Sequence, residues 1–127
     1  MRSNPNPKSK PLTEFACSTQ LAWVSEWIRW AMDELEEFVE RTPYRDTFDR
    51  VNRAIARLIL ALQHVAAATS EIGNSVWHLR TAKNLVEQAY AVIDSGYFEE
   101  VADLHEVLDL IDLASRKLQR VIELRER

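Results

Sequence analysis

Residues 48–65 read FDRVNRAIARLILALQHV, and their large apolar side chains recur three and four residues apart. This spacing keeps one face of an α-helix apolar, whereas a half-buried strand would alternate apolar and polar residues. The stretch contains neither glycine nor proline. We therefore predict a long amphipathic helix whose apolar face is formed by Phe48, Val51, Ile55, Leu58, Leu62 and Val65.

The composition of the whole chain favours the same fold class. The 127 residues include two glycines and four prolines, and three of the prolines lie in the first 11 residues. Antiparallel sheets need frequent turns, which draw on Gly, Pro, Asn and Asp. Hydrophobic residues make up 46% of the chain and charged residues 28%, which is enough apolar material for a core. The sequence predicts one all-α domain.

The first half of the chain is predicted to hold a tail and two helices. Residues 1–12 are basic and poor in apolar groups, so we expect a flexible tail. The first helix begins near Thr13 or Ser18 and stops within residues 41–43, since the residue before Pro43 is pushed out of the α region. The second helix starts between residues 43 and 46 and weakens at residues 68–70.

The second half is predicted to hold two more helices. A cap at Ser70 or Asn74 opens the third helix, and Gly96, which can adopt a positive φ, ends it. The fourth runs from about Phe98 to the C-terminus. Short loops between long helices imply antiparallel neighbours, so residues 13–127 are predicted to form an up-down-up-down four-helix bundle.

Two predicted helices carry a second apolar stripe, which predicts a homo-oligomer. The stripe on the first helix is Trp23, Trp27 and Trp30, and the stripe on the last includes Val107, Leu110 and Val121. Large apolar side chains left in water form an aggregation-prone patch. We expect these stripes to meet other subunits; the alternative is that the tryptophans widen the core of one chain.

Charge is predicted to divide between the two ends of the bundle, although the net charge is −4. One end collects acidic residues, and Arg45, Arg50, Arg53 and Arg57 of the second helix can pair with them across the hairpin. The other end is a basic pole. Such a pole with a basic tail is a candidate phosphate-binding surface for RNA or DNA. Its members are Arg2, Lys8, Lys10, Arg80, Lys83, Arg116, Lys117, Arg120, Arg125 and Arg127.

Few residues suggest catalysis or a cofactor. The carboxylates Glu36, Glu37 and Glu40, with Glu100 and Asp103, could hold Mg²⁺ as in all-α nucleotide pyrophosphohydrolases, although the two groups are about sixty residues apart. The three histidines lie on different predicted helices and lack the spacing of a metal motif. Cys17 is expected to be a small buried side chain. We predict no cofactor and no enzyme, with the metal-dependent hydrolase as an alternative.

Four segments carry a resemblance to a known family. They are residues 49–55 (DRVNRAI), 79–87 (LRTAKNLVE), 95–100 (SGYFEE) and 118–122 (LQRVI). From about residue 28 to 124 the chain resembles the four-helix-bundle family of 23S ribosomal RNA intervening-sequence proteins and accessory variability determinants of diversity-generating retroelements. The resemblance implies a homopentamer that has no catalytic activity and binds a reverse transcriptase and template RNA.

These observations together predict a function and a location. We expect a non-catalytic oligomeric adaptor for a partner protein, with RNA or DNA as a second ligand at the basic pole. A protein-only interaction module that uses the tryptophans is the alternative. The longest stretch without charge, residues 58–70, is shorter than the ~20 residues that span a bilayer. The first residues lack the apolar segment of a secretory signal, so a cytoplasmic protein is expected.

Overall fold

The chain is helical throughout most of the part that the structure describes. This computed structural model describes the backbone of residues 9–70, 72–96 and 98–126, and the side chains of residues 17–70, 73–96 and 101–126. Those ranges contain no strand, and the predicted all-α class is confirmed. The helices are α1 (Ser9–Arg41), α2 (Arg45–Ser70), α3 (Ser75–Asp94), α4 (Phe98–Asp103) and α5 (His105–Glu126).

Helix α1 ends just before Pro43 and begins earlier in the chain than predicted. Helix α1 ends at Arg41, as predicted, and the Thr42 N–H donates to the Phe38 carbonyl oxygen at 3.0 Å just before Pro43. Its first residue is Ser9, so the helix extends into the segment predicted as a tail. Residues 1–8 lie outside the described part. Among the described residues, no helix combines the length and the apolar character needed to cross a lipid bilayer.

The junctions on either side of α3 differ in detail from the sequence prediction. A 3₁₀ helix, Ile72–Asn74, connects α2 to α3, and Asn74 occupies the N-cap position without a side-chain cap hydrogen bond. At the other end, the expected positive φ at Gly96 is wrong: no described glycine has one. Glycine fits there because a Cβ atom would lie 3.2 Å from the Ile93 carbonyl oxygen and 3.5 Å from Arg50 Cδ.

The predicted fourth helix is two helices, which corrects the sequence prediction. Leu104 separates α4 from α5. Its N–H donates to the Val101 carbonyl oxygen at 3.0 Å, three residues back instead of the four of an α-helix. The Leu104 side chain is buried, so the tightened turn keeps this residue in the core.

Neighbouring helices pack with their chain directions opposed. The most extensive contact joins α2 to α3, and α5 packs on both α1 and α3. Arg50 near the start of α2 bonds to Ser95 at the end of α3, and His64 near the end of α2 meets His78 near the start of α3. Arg80 of α3 pairs with Glu126 at the end of α5. Helices α2 and α3 are therefore antiparallel, and so are α3 and α5.

The core follows most of the predicted apolar faces. Val51, Ile55, Leu58 and Val65 of α2 are buried, whereas Phe48, expected on the same face, is 42% exposed. Thr47, in the same first turn of α2, is buried instead. The prediction for Phe48 is wrong because the buried face of α2 runs through Thr47, Val51 and Ala54, which leaves Phe48 beside it.

The predicted subunit contacts on the last helix are also wrong. Val107, Leu110 and Val121 are buried within this chain. Helix α5 lies against α1 on one side and α3 on the other, so both of its apolar stripes face the chain's own helices. These three residues therefore belong to the core and are not available to a second subunit.

Alanines occupy the side of α2 that approaches α3. Ala54 and Ala61 lie three residues before Arg57 and His64, whose side chains reach α3, and both alanines are fully buried. Ala82 and Ala89 of α3 are likewise buried. Small side chains let two helix backbones approach closely, so these positions permit the extensive α2–α3 contact.

The core assignment predicts a large difference between two leucines of α2. Leu58→Ala should lower the free energy of unfolding by about 2–5 kcal/mol, because Leu58 is fully buried and its loss leaves a cavity. Leu60→Ala is the matched control, since Leu60 is 46% exposed, and should change it by less than about 0.5 kcal/mol. Urea denaturation measures both; equal losses would contradict the assignment.

Candidate functional site

Three tryptophans of α1 form an apolar surface beside the core, which we call the tryptophan surface. Trp23, Trp27 and Trp30 each precede a core residue of α1 by one position, which is a rotation of about 100° around the helix, so they lie on a different side of α1 from its buried face. Trp23 is 55% exposed and Trp30 is 51% exposed, while Trp27 packs partly against the core. The ring centroids of Trp23 and Trp27 are 6.0 Å apart. The structure thus brings together the three predicted residues of α1.

Charged residues border the tryptophan surface. Glu26, Arg29 and Asp33 line a shallow cleft of about 490 Å³ together with the three tryptophans. The Arg29 Nη1 atom lies 3.8 Å from Glu26 Oε1, and both side chains are well exposed. An apolar centre with a charged margin of both signs is the usual layout of a protein contact surface.

Most described members of the basic pole are engaged by this chain. Arg80 Nη2 lies 2.6 Å from Glu126 Oε2, and Arg116 Nη2 lies 2.9 Å from Asp112 Oδ2. Lys83 pairs with Glu87 one turn later on α3. These ion pairs reduce the positive potential that a count of arginines and lysines suggests.

Arg125 has a structural role that its charge alone does not reveal. Its Nη1 atom donates to the carbonyl oxygen of Ala68 at 3.0 Å. Ala68 lies in the last turn of α2, where carbonyl groups have no partner within the helix. Arg125 therefore ties the end of α5 to the end of α2.

Two bases of α5 remain available for a ligand. Within the described part of the chain, Lys117 and Arg120 form no ion pair, and Arg120 is exposed. Arg2, Lys8 and Arg127 lie outside the described residues, as does the Lys10 side chain. Of the six pole residues whose side chains are described, Lys117 and Arg120 are thus the two that neither an ion pair nor a hydrogen bond within this chain engages.

The arginines of α2 do not behave as predicted. Arg50 Nη1 donates to Ser95 Oγ at 3.0 Å and Arg57 Nε donates to Gln88 Oε1 at 3.2 Å, so both reach α3. Arg45 lies 3.9 Å from Asp49 of its own helix. The described contacts thus replace the expected pairing with the acidic end of α1, because α2 packs more extensively on α3 than on α1.

The described carboxylates of the alternative metal site do not form a cluster of metal ligands. Glu36, Glu37, Glu40 and Asp103 are exposed, and the Glu100 side chain lies outside the described residues. Among the side chains that the structure describes, no group of three or more His, Cys, Asp or Glu is arranged to hold a metal ion. Asp103 instead lines an open cleft with Phe38, Arg41 and Tyr44.

A cluster of two histidines and a tryptophan was missed by the sequence prediction. The Nδ1 atoms of His64 and His78 are 3.0 Å apart, and the Trp77 ring packs edge-on against both imidazoles. The pair follows from the antiparallel register of α2 on α3, in which Arg50 meets Ser95 and Arg57 meets Gln88. The sequence carries no signal for that register. The third histidine, His105, lies 3.6 Å from Asp109 of its own helix.

Comparisons with known proteins do not identify the family of this chain, which stays a prediction. No family model matches the sequence, and neither the curated proteins nor the solved structures include a match. The resemblance to the intervening-sequence and retroelement accessory proteins therefore rests on the quoted segments alone.

The exposed ion pairs predict a small stability effect at the basic pole. Glu126→Gln removes the partner of Arg80 and should change the free energy of unfolding by less than about 1 kcal/mol, because both side chains are substantially exposed. Urea denaturation against wild type measures the change. A loss of several kcal/mol would show instead that the pair holds α5 to α3.

Proposed function

We propose that this chain is an up-down-up-down four-helix bundle that self-associates through the tryptophan surface and acts as a non-catalytic adaptor for a partner protein. The observation that carries the proposal is the half-exposure of Trp23 and Trp30 on one side of α1. Tryptophan contributes more to protein contacts than most residues do, because it buries a large rigid surface.

The position of the tryptophans supports self-association. Trp27 packs against the core and contacts the exposed Trp23 ring, so the surface sits on a rigid helix rather than on a loop. Its margin carries both signs of charge in Glu26, Arg29 and Asp33. Arg29 of one subunit can therefore pair with Glu26 or Asp33 of a neighbouring subunit. The family resemblance implies a pentamer and a reverse transcriptase as the partner protein.

Substitution at the tryptophan surface should dissociate the oligomer. We expect Trp23→Glu and Trp30→Glu each to lower the mass measured by size-exclusion chromatography with light scattering, because a carboxylate would be buried at the contact. Both side chains point away from the core, so these changes should leave the fold intact, as circular dichroism can verify. Trp27 is unsuitable because it packs against the core.

Trp77→Glu is the matched control for these variants. Trp77 is 60% exposed but lies on α3, so its replacement should leave the mass unchanged. A wild-type protein that is monomeric at every concentration, or an oligomer that survives both α1 variants, would reject the tryptophan surface as the contact.

Nucleic-acid binding at α5 is a second candidate function. Among the described bases of the pole, Lys117 and Arg120 are the two that neither an ion pair nor a hydrogen bond within this chain engages. Such charges can displace counterions from a phosphate backbone. Under this proposal the adaptor would hold RNA or DNA beside its partner protein.

Two arginines of α5 allow a matched test of this candidate. Arg120→Gln should weaken binding to a labelled single-stranded RNA and reduce the slope of log K against log salt by about 1, measured by fluorescence anisotropy. Arg116→Gln should have a smaller effect, since Arg116 is already paired with Asp112. RNA that does not bind, or that binds the Arg120 variant and wild type alike, would reject the site.

A further inference from the structure

The histidine pair joins two helices through its ring nitrogens. His64 lies in α2 and His78 in α3, and their Nδ1 atoms are 3.0 Å apart. The ring centroids are 5.2 Å apart with an angle of 38° between the planes. Both side chains are half-buried. As a hydrogen bond, this contact requires one imidazole to donate and the other to accept.

The 3.0 Å separation of the two Nδ1 atoms also suits two ligands of one metal ion. Metal–imidazole bonds are about 2.0–2.1 Å long, so two nitrogens on adjacent corners lie about 2.9 Å apart at a right angle and about 3.4 Å apart at a tetrahedral angle. The observed separation falls in this range. A rotation of each ring can therefore direct both lone pairs to a common point with little movement of the helices.

We propose that His64 and His78 form a two-ligand site for a divalent transition-metal ion. Neutral imidazole suits Cu²⁺, Ni²⁺ and Zn²⁺, and Cu²⁺ binds most strongly to a given set of nitrogen ligands. On binding, the imidazole that donates in the hydrogen bond moves its proton from Nδ1 to Nε2, so that both Nδ1 atoms face the ion. Within the described part of the chain, no group of three or more His, Cys, Asp or Glu is arranged to hold a metal ion, so the proposal assigns two protein ligands to the site.

Trp77 provides a reporter for this site. Its ring centroid lies 5.5 Å from that of His64 and 5.0 Å from that of His78. Bound Cu²⁺ quenches the fluorescence of a nearby indole. The other three tryptophans lie on α1. If Cu²⁺ lowers the tryptophan fluorescence of wild type but not that of Trp77→Phe, the ion is bound at the histidine pair.

Titration with Cu²⁺ alone tests the site on the full chain. Isothermal titration calorimetry should show one tight ion per chain, and either His64→Gln or His78→Gln should weaken its binding more than about tenfold, because each removes one of two ligands. His105→Gln is the matched control and should bind like wild type. Trp77→Phe should keep the calorimetric affinity and lose the quenching.

The unfolding temperature of wild type gives a second measurement of metal binding. An ion held by both α2 and α3 stabilises the folded state, so Ni²⁺ or Zn²⁺ should raise the Tm of wild type. His64→Gln/His78→Gln should show no such rise. Wild type without tight Cu²⁺ binding, or histidine variants that bind like wild type, would overturn the proposal. The tryptophan surface plays no part in these outcomes.

Discussion

The close packing of α2 on α3 depends on small side chains between the two helices. Ala54 and Ala61 of α2, with Ala82 and Ala89 of α3, are fully buried and leave room for the backbones to approach. Longer side chains beside the alanines form hydrogen bonds between α2 and α3. These contacts join Arg50 to Ser95, Arg57 to Gln88 and His64 to His78. The proposed metal site is thus a consequence of helix packing, since neither histidine has a metal-binding neighbour within its own helix.

A second apolar stripe on a helix can be buried within the chain or exposed on its surface, and this protein contains one example of each. Helix α5 packs between α1 and α3, so Val107, Leu110 and Val121 are buried in the core. In α1, Trp23 and Trp30 of the second stripe remain half-exposed. The two stripes differ because the chain's own helices cover the stripe on α5 and leave much of the stripe on α1 uncovered. Only the stripe on α1 is left for a contact with another molecule.

The basic pole illustrates a similar limit for charge. A sum over residues predicts a strongly positive end, but the ion pairs of Arg80 and Arg116 neutralise part of it, and Arg125 satisfies a helix carbonyl. These pairs depend on which residues lie one turn away or on the facing helix. Among the described residues, fewer charges of the pole are free to attract phosphate than the sequence implies.

The sequence by itself determined the helical class, the end of α1 before Pro43 and most of the core of α2, because these features follow from local backbone preferences and from three-and-four spacing. It also indicated the tryptophans of α1 as a candidate contact. Only the tertiary structure decided that α5 is covered on two sides, that Leu104 interrupts the last helix and that His64 meets His78. Those features depend on which helices become neighbours and in what register, and residues far apart in the chain settle that through packing.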